Sequence, residues 1–222
     1  MILFSVFDLS EGFHQIRLDE ESSWKCCFAT PHGVYRYLVL PYGLSNSGDI
    51  FDERVKVYFG NIPNVVVVRD DMLIMGKTKK DHDKTVEKII EIARKHGIKF
   101  NSIKLQYRKD NVKFMGQRIT AEGMKVDPER VEAIKALKQP TNRKELRWVM
   151  GSINYVRKYV PEMAGLIHPL CLLLKKDTSW AWLPQHEKIF KEIKERIAQA
   201  PCLVPFDTNK KAILQTDASK MD

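Results

Sequence analysis

What this sequence of 222 residues lacks narrows the choice of classes. Its strictly apolar runs are short, such as Val65 to Val68, Met72 to Met75 and Leu170 to Leu174. Each falls well below the roughly 18 residues that a membrane-spanning helix needs, so no membrane partner is expected. Cysteine is scarce: Cys26, Cys27, Cys171 and Cys202 include an adjacent pair and no C-x-x-C spacing. That pattern argues against a disulfide framework and against a zinc site. The N-terminus carries no basic region and reaches Asp8 too early for a secretory signal. An intracellular setting, cytoplasmic or nuclear and not secreted, is therefore expected. With only 11 Gly and 10 Pro against 44% hydrophobic and 29% charged residues, the composition excludes disordered and low-complexity classes. Its length allows one or two domains.

Charge is present in excess and unevenly spread. The formal net charge is +9. Residues 1–76 hold 6 basic and 10 acidic groups, residues 77–147 hold 20 and 10, and residues 148–222 hold 11 and 8. An acidic segment followed by a basic one suits a protein that gathers cations at one place and holds a polyanion beside it. The same counts also suit a solvated, Lys-rich helical surface, so charge alone leaves both open.

Local patterns predict an α+β order of elements. Residues 2–9 read as a buried strand ending on Asp8, and Val34 to Leu40 as another. Ile50, Phe51, Arg54, Val55 and Tyr58 at helical spacing predict a helix over 47–59, stopped by Gly60. Four valines, Arg69-Asp70-Asp71 and then Met72 to Met75 read as a hairpin with carboxylates at its tip. Val86, Ile89, Ile90 and Ala93, closed by Gly97, make an amphipathic helix over 81–96. Strands are expected over 103–107 and 112–120, with a turn at Gly123. Helices follow from Asp127-Pro128, from a Thr141 cap and over 185–198, and Ala212 to Ser219 reads as a final strand.

Two predicted strands thus end on acids, Asp8 and the Asp70-Asp71 pair. Clustered carboxylates repel unless a cation neutralises them, and oxygen ligands of this kind suit Mg²⁺. Two such ions about 3.5–4 Å apart can promote nucleotidyl transfer. Asp is also a common turn residue, so the pair has a structural reading as well.

The ordered motifs settle more than the spacing does. They are Phe4-Ser-Val-Phe-Asp8-Leu-Ser-Glu-Gly-Phe13, Phe28-Ala-Thr-Pro-His-Gly33, Leu40-Pro-Tyr-Gly-Leu-Ser-Asn46, Arg69-Asp70-Asp71, His82, Phe114-Met-Gly116, Gly123-Met-Lys-Val-Asp-Pro128, Gly151-Ser-Ile-Asn-Tyr-Val-Arg-Lys-Tyr-Val160 and Leu214-Gln-Thr-Asp217-Ala-Ser219. In this order they resemble the reverse transcriptase core of a gypsy-type LTR retrotransposon Pol polyprotein, running into the start of a ribonuclease H domain. The resemblance implies a polymerase palm over 1–125, an antiparallel sheet with helices on one face. It also implies thumb and connection helices over 126–200 and the first strand region of a ribonuclease H-like domain over 201–222. Fingers and the first part of the palm would precede residue 1.

By that resemblance Asp8, Asp70 and Asp71 are catalytic and, with the Leu9 carbonyl, bind two Mg²⁺ ions, Mn²⁺ being possible in their place. Phe13 falls at the sugar-selecting gate, while Tyr42 and Gly43 line the deoxynucleotide pocket. Phe114, Met115 and Gly116 match the primer grip. Lys135, Lys138, Arg143, Lys144 and Arg147 would meet the phosphate backbone of an RNA or DNA template–primer duplex. Asp217 matches the first acid of a ribonuclease H site whose other acids are not in this sequence. The implied function is RNA-directed DNA polymerase within a larger polyprotein; the alternative is a decayed or domesticated fragment that binds nucleic acid without polymerising. The sequence departs from the family's pattern at His14, Trp24, Cys26-Cys27 and Gly48-Asp49, and most of all beside the paired aspartates. Val68 replaces the usual Tyr, and Arg69 puts a guanidinium where ion pairing with the carboxylates would compete with Mg²⁺.

Overall fold

The computed structural model describes residues 2–204. The strand expected over 212–219, and Asp217 with it, lie outside the described residues. The chain divides into two compact units. One is built from Met1–Ala121 with Val126–Ala136, the other from Glu122–Lys125 with Leu137–Asp222.

In chain order the first unit begins with β1 (Leu3–Asp8), α1 (Glu20–Lys25), β2 (Cys27–Thr30), β3 (Gly33–Arg36), α2 (Ser47–Phe59), β4 (Val65–Val68) and β5 (Asp71–Gly76). It continues with α3 (Lys79–His96), β6 (Gln106–Lys109), β7 (Asn111–Phe114) and β8 (Gln117–Thr120). After β9 (Gly123–Val126), α4 (Pro128–Lys135) packs back into this unit. The helix beginning at Asp127-Pro128 therefore belongs with the strands of the first unit, although its sequence reads as the first of the following helices.

The central sheet runs β4-β5-β1-β6, and its pairs are antiparallel. β1 is covered on both faces, which explains its unbroken apolar run. Phe7 joins Met72, Ile74, Phe51, Val55, Phe59, Val86 and Ile89 in a core beneath α2 and α3. Phe4 and Val6, pointing the other way, pack with Leu73, Val112 and Phe114. Ser5 shares the helix-facing side of β1 with Phe7. Its hydroxyl lies 2.9 Å from Nε2 of the fully buried His82 and accepts the Arg108 amide at 3.0 Å. Arg108 in turn clamps Asp83 beside that histidine. His82, one of the ordered motifs, is thus a buried polar tie between α3, β1 and β6.

In the second unit α5 (Arg143–Val156), α6 (Met163–Leu172) and α7 (Pro184–Ala198) follow β9. Leu146, Val149, Met150 and Ile153 form the buried stripe of α5, and Phe190, Ile193 and Ile197 that of α7. The cap of α5 is Asn142, whose side chain accepts the Glu145 amide at 2.9 Å. Thr141, the expected cap, instead donates through its hydroxyl and amide to the Glu145 carboxylate. β9 pairs with Leu203 through Met124.

Candidate active site

The β1–β5 pairing builds the acidic end of the sheet. Asp8 stands directly across from Asp71, and Val68 across from Asp71 on the other side, so β4 and β5 are joined by the two residues Arg69 and Asp70. Arg69 takes the left-handed conformation, φ 52°. The Leu9 amide donates to the Asp70 carbonyl at 2.8 Å, tying the loop to the end of β1. Asp8 O and Ser10 N are bonded to Asn101 and Lys99 on the opposite side. By strand alternation the Leu9 carbonyl is therefore directed towards Asp70. The side chains of opposed residues in an antiparallel pair lie about 4.5–5.5 Å apart at Cβ, so the sheet register brings Asp8 and Asp71 together across 63 positions of sequence.

This group is short of positive charge. Partial burial, and then the Asp8 carboxylate, push the Asp70 and Asp71 carboxyls above their ordinary value; Lys104 only partly offsets this. Lys104 Nζ donates to Asp8 Oδ2 at 3.0 Å, and that bond raises the lysine's own pKa. No local pattern singles out this lysine, which lies 96 positions from its partner. The expected rival for the carboxylates, Arg69, behaves otherwise. Its guanidinium lies near Gly48 of α2 and makes no ion pair with Asp70 or Asp71. Its side chain turns towards the helix and lowers the Asp70 pKa only through space, less than Lys104 does.

Among the described residues no three His, Cys, Asp or Glu side chains form a ready metal cage. Mg²⁺ in general keeps several waters and is held by one or two carboxylates plus substrate phosphates. Hard oxygen donors with raised carboxyl pKa values are a chemically fitting set, because a cation would relieve the repulsion that raises them.

Phe13 sits in a short 3-10 turn (Gly12–Gln15) with its ring 4.9 Å from Tyr42 and 5.0 Å from Phe51. Tyr42 is exposed, and Gly43 after it has φ 92°. The structure thus sets Phe13 beside Tyr42, with Gly43 next to it in the chain. β7 and β8 form a hairpin whose two-residue loop is Met115-Gly116, both with positive φ. Such turns favour glycine in the second position. Phe114 is buried in the core beneath this hairpin, whereas Met115 is exposed at its tip. A groove of about 470 Å³ runs from Asp8, Asp71 and Lys104 to Met115, Gly116 and Arg118. The loop and the carboxylates therefore border one space.

The basic positions divide. Lys135, on α4 in the first unit, pairs with Glu132 at 2.8 Å. In the second unit the Arg143 guanidinium donates to the Leu173 carbonyl at 3.1 Å and reaches the Lys176 carbonyl, closing the end of α6. Lys138, Lys144 and Arg147 are exposed and form no ion pair with a described residue. Trp148, 65% exposed, lies on the same face of α5 as Lys144 and Arg147.

A palm-like antiparallel sheet with strand-end carboxylates facing a hairpin-bordered groove defines a class of polymerase domain. The family described as reverse transcriptase (RNA-dependent DNA polymerase) matches residues 2–119, and an RNase H-like domain found in reverse transcriptase matches residues 182–222. The chain belongs to the reverse transcriptase family.

Its relatives include the Tf2-3 and Tf2-7 transposon polyproteins of Schizosaccharomyces pombe. Each is 36% identical over 98% of this chain, which spans 16% of the length of each. A foamy viral protease-reverse transcriptase in complex with double-stranded DNA is 28% identical, with a TM-score of 0.88 over 93% of this chain and 37% of that one. The foamy viral protein with an RNA/DNA hybrid matches with a TM-score of 0.84 over 91% of this chain and 28% of that one. The resemblance to a transposon-borne reverse transcriptase leading into an RNase H-like domain, and the α+β palm fold, are borne out.

Proposed function

We propose that this chain is the palm and following helical part of an RNA-directed DNA polymerase that extends a primer with deoxynucleotides. The observation that carries the reading is the register that sets Asp8 opposite Asp71, with Asp70 in the adjoining loop, at one end of the groove bordered by Met115-Gly116. Asp8, Asp70 and Asp71, with the Leu9 carbonyl, would hold Mg²⁺. Two such ions would supply Lewis-acid activation of the attacking hydroxyl and charge neutralisation at the leaving oxygen. Phe13, braced by Phe51 and Tyr42, would exclude a ribose 2′-hydroxyl by its ring. The Met115-Gly116 loop would orient the primer end, since a backbone turn can follow a sugar–phosphate chain closely. Lys138, Lys144 and Arg147 would meet backbone phosphates without sequence preference.

Primer extension on RNA and DNA templates with Mg²⁺ tests the reading. Asp70→Asn is expected to lower extension by about 10³-fold, the scale on which groups that stabilise transition-state charge act, while leaving duplex binding in place. Binding that weakens steeply with salt, but with no extension under any condition, would instead favour a nucleic-acid-binding fragment.

A further inference from the structure

Within the first unit a second cavity, of about 320 Å³, opens between the 3-10 turn, α2 and the end of α3. Its floor is apolar, formed by Leu9, Phe51, Val55, Phe59 and Ile98. Tyr58 and His96 make a wall of two rings in tilted contact, 4.4 Å between centroids. Arg17 and Arg54 line it together with Gln15 and Ile16, and no carboxylate contributes to it. Neither arginine forms an ion pair with a described residue, whereas Arg36, Lys104, Arg108 and Lys113 of the same unit all do. Two uncommitted guanidinium groups are thus placed over a greasy floor, inside a segment that is acidic overall.

That combination selects an occupant. A neutral apolar molecule would leave the arginines unused, and a bare inorganic anion would leave the floor without contact. A small amphipathic anion satisfies both, its flat ring on Phe51 and Val55 and its charged group at Arg17 and Arg54. At about 320 Å³ the volume suits one or two fused rings.

The wall of this cavity is also the back of the acidic group. Gly12 lines it, and a Cβ at Gly12 would lie 2.5 Å from Asp70 Oδ1 and 2.7 Å from the Phe51 ring. The absence of a side chain lets the Asp70 carboxylate rest against this turn. Leu9, part of the floor, donates its amide to the Asp70 carbonyl. We propose that the cavity binds an aromatic carboxylate or sulfonate of one or two rings, and that its occupancy is felt at the Asp70 loop through Gly12, Phe51 and Leu9. Its consequence for polymerisation rests on the function proposed above; the binding itself does not.

The test titrates 1-naphthoate into the isotopically labelled chain and follows backbone amides and methyl groups by NMR, with neutral 1-naphthalenemethanol as comparison. Saturable shifts are expected at the Val55 and Ile98 methyls and at the Gly12 and Asp70 amides. The alcohol should bind about tenfold more weakly, as should naphthoate to Arg54→Gln or Arg17→Gln, with Arg54→Lys, which keeps the charge but not the planar fork, falling between. Both arginines are exposed, and retained amide dispersion in the variants verifies their folding. Equal binding of acid and alcohol would overturn the proposal. So would indifference to the arginine changes, or shifts confined to the exposed aromatics Phe28 and Tyr35 of the β2–β3 hairpin. No step measures polymerisation, so an inactive polymerase and an unused cavity give different results.

Discussion

Asp127 and the Asp8, Asp70 and Asp71 group lie in the same compact unit and meet opposite electrostatic fates. Asp127 is 2% exposed and caps α4 through the Glu129 amide. Its carboxylate also lies 2.6 Å from Lys113 Nζ and 3.8 Å from Arg118 Nε. Burial pushes this carboxyl up, but the Lys113 bond, the Glu129 amide and Arg118 outweigh it and hold the group below its ordinary value. At the sheet end Lys104, and more weakly Arg69, do not balance the three acids, and Asp70 and Asp71 are pushed up instead. One carboxylate is neutralised by the fold, while the other group keeps unbalanced negative charge. The two are also linked. Lys113 and Arg118 face each other across the β7–β8 hairpin, flanking the Met115-Gly116 loop. Asp127 therefore holds the hairpin that borders the groove.

Breaking the satisfied side should have the largest effect on stability. Asp127→Ala removes a helix cap and charge-assisted bonds, and is expected to lower unfolding free energy by about 2–4 kcal/mol in urea titration. The size of that loss also reports whether the hairpin stays anchored. The opposite sign is expected at the unsatisfied side: in metal-free buffer Asp71→Asn should raise stability by about 0.5–1 kcal/mol, because like charges repel less.

The pH dependence should separate them further. Asp127 has a depressed folded pKa, so its contribution is present above the unfolded carboxylate value of about 3.9 and is lost as pH falls through the folded value. Asp70 and Asp71 have raised folded values, so the folded chain binds more protons. Their penalty grows as pH rises from about 3.9 through those raised values. Unfolding curves in metal-free buffer between about pH 3 and 7 should show the Asp127→Ala deficit shrinking in acid. The Asp71→Asn advantage should vanish there too. An advantage independent of pH would mean the carboxylates do not repel in the folded chain. The smallest effect is expected from Lys104→Met, within about 1 kcal/mol, because this lysine is largely exposed.

Much of the fold is legible from local pattern. The spacing of Ile50, Phe51, Arg54, Val55 and Tyr58 places α2 at the residues observed, although the face it buries is Ser47, Phe51, Val55 and Phe59, and Gly97 closes α3 in the left-handed conformation. The valine run, the charged turn and the second apolar run give the β4–β5 hairpin. Other readings fail where pairing decides. The strand over 34–40 ends at Arg36, since β2 offers only four partners, and Ile103, read as strand, is 94% exposed before β6 begins at Gln106. Residues 112–120 split into two strands at Met115-Gly116. Short α1 lacks apolar periodicity, and α6 contains Pro169, so neither announces itself.

By itself the sequence determined the ordered motifs, the carboxylates at strand ends, the main helices and the family. These rest on hydrophobic periodicity, turn chemistry and residue identity, which act over a few neighbouring positions. The tertiary structure alone decided that Lys104 rather than Arg69 meets the acids, that Arg143 closes a helix instead of facing solvent, that Asp127 is satisfied, and that Gly12 backs Asp70 onto a cavity. Charge, burial and close approach depend on distance in space, and folding sets those distances between residues far apart in the chain.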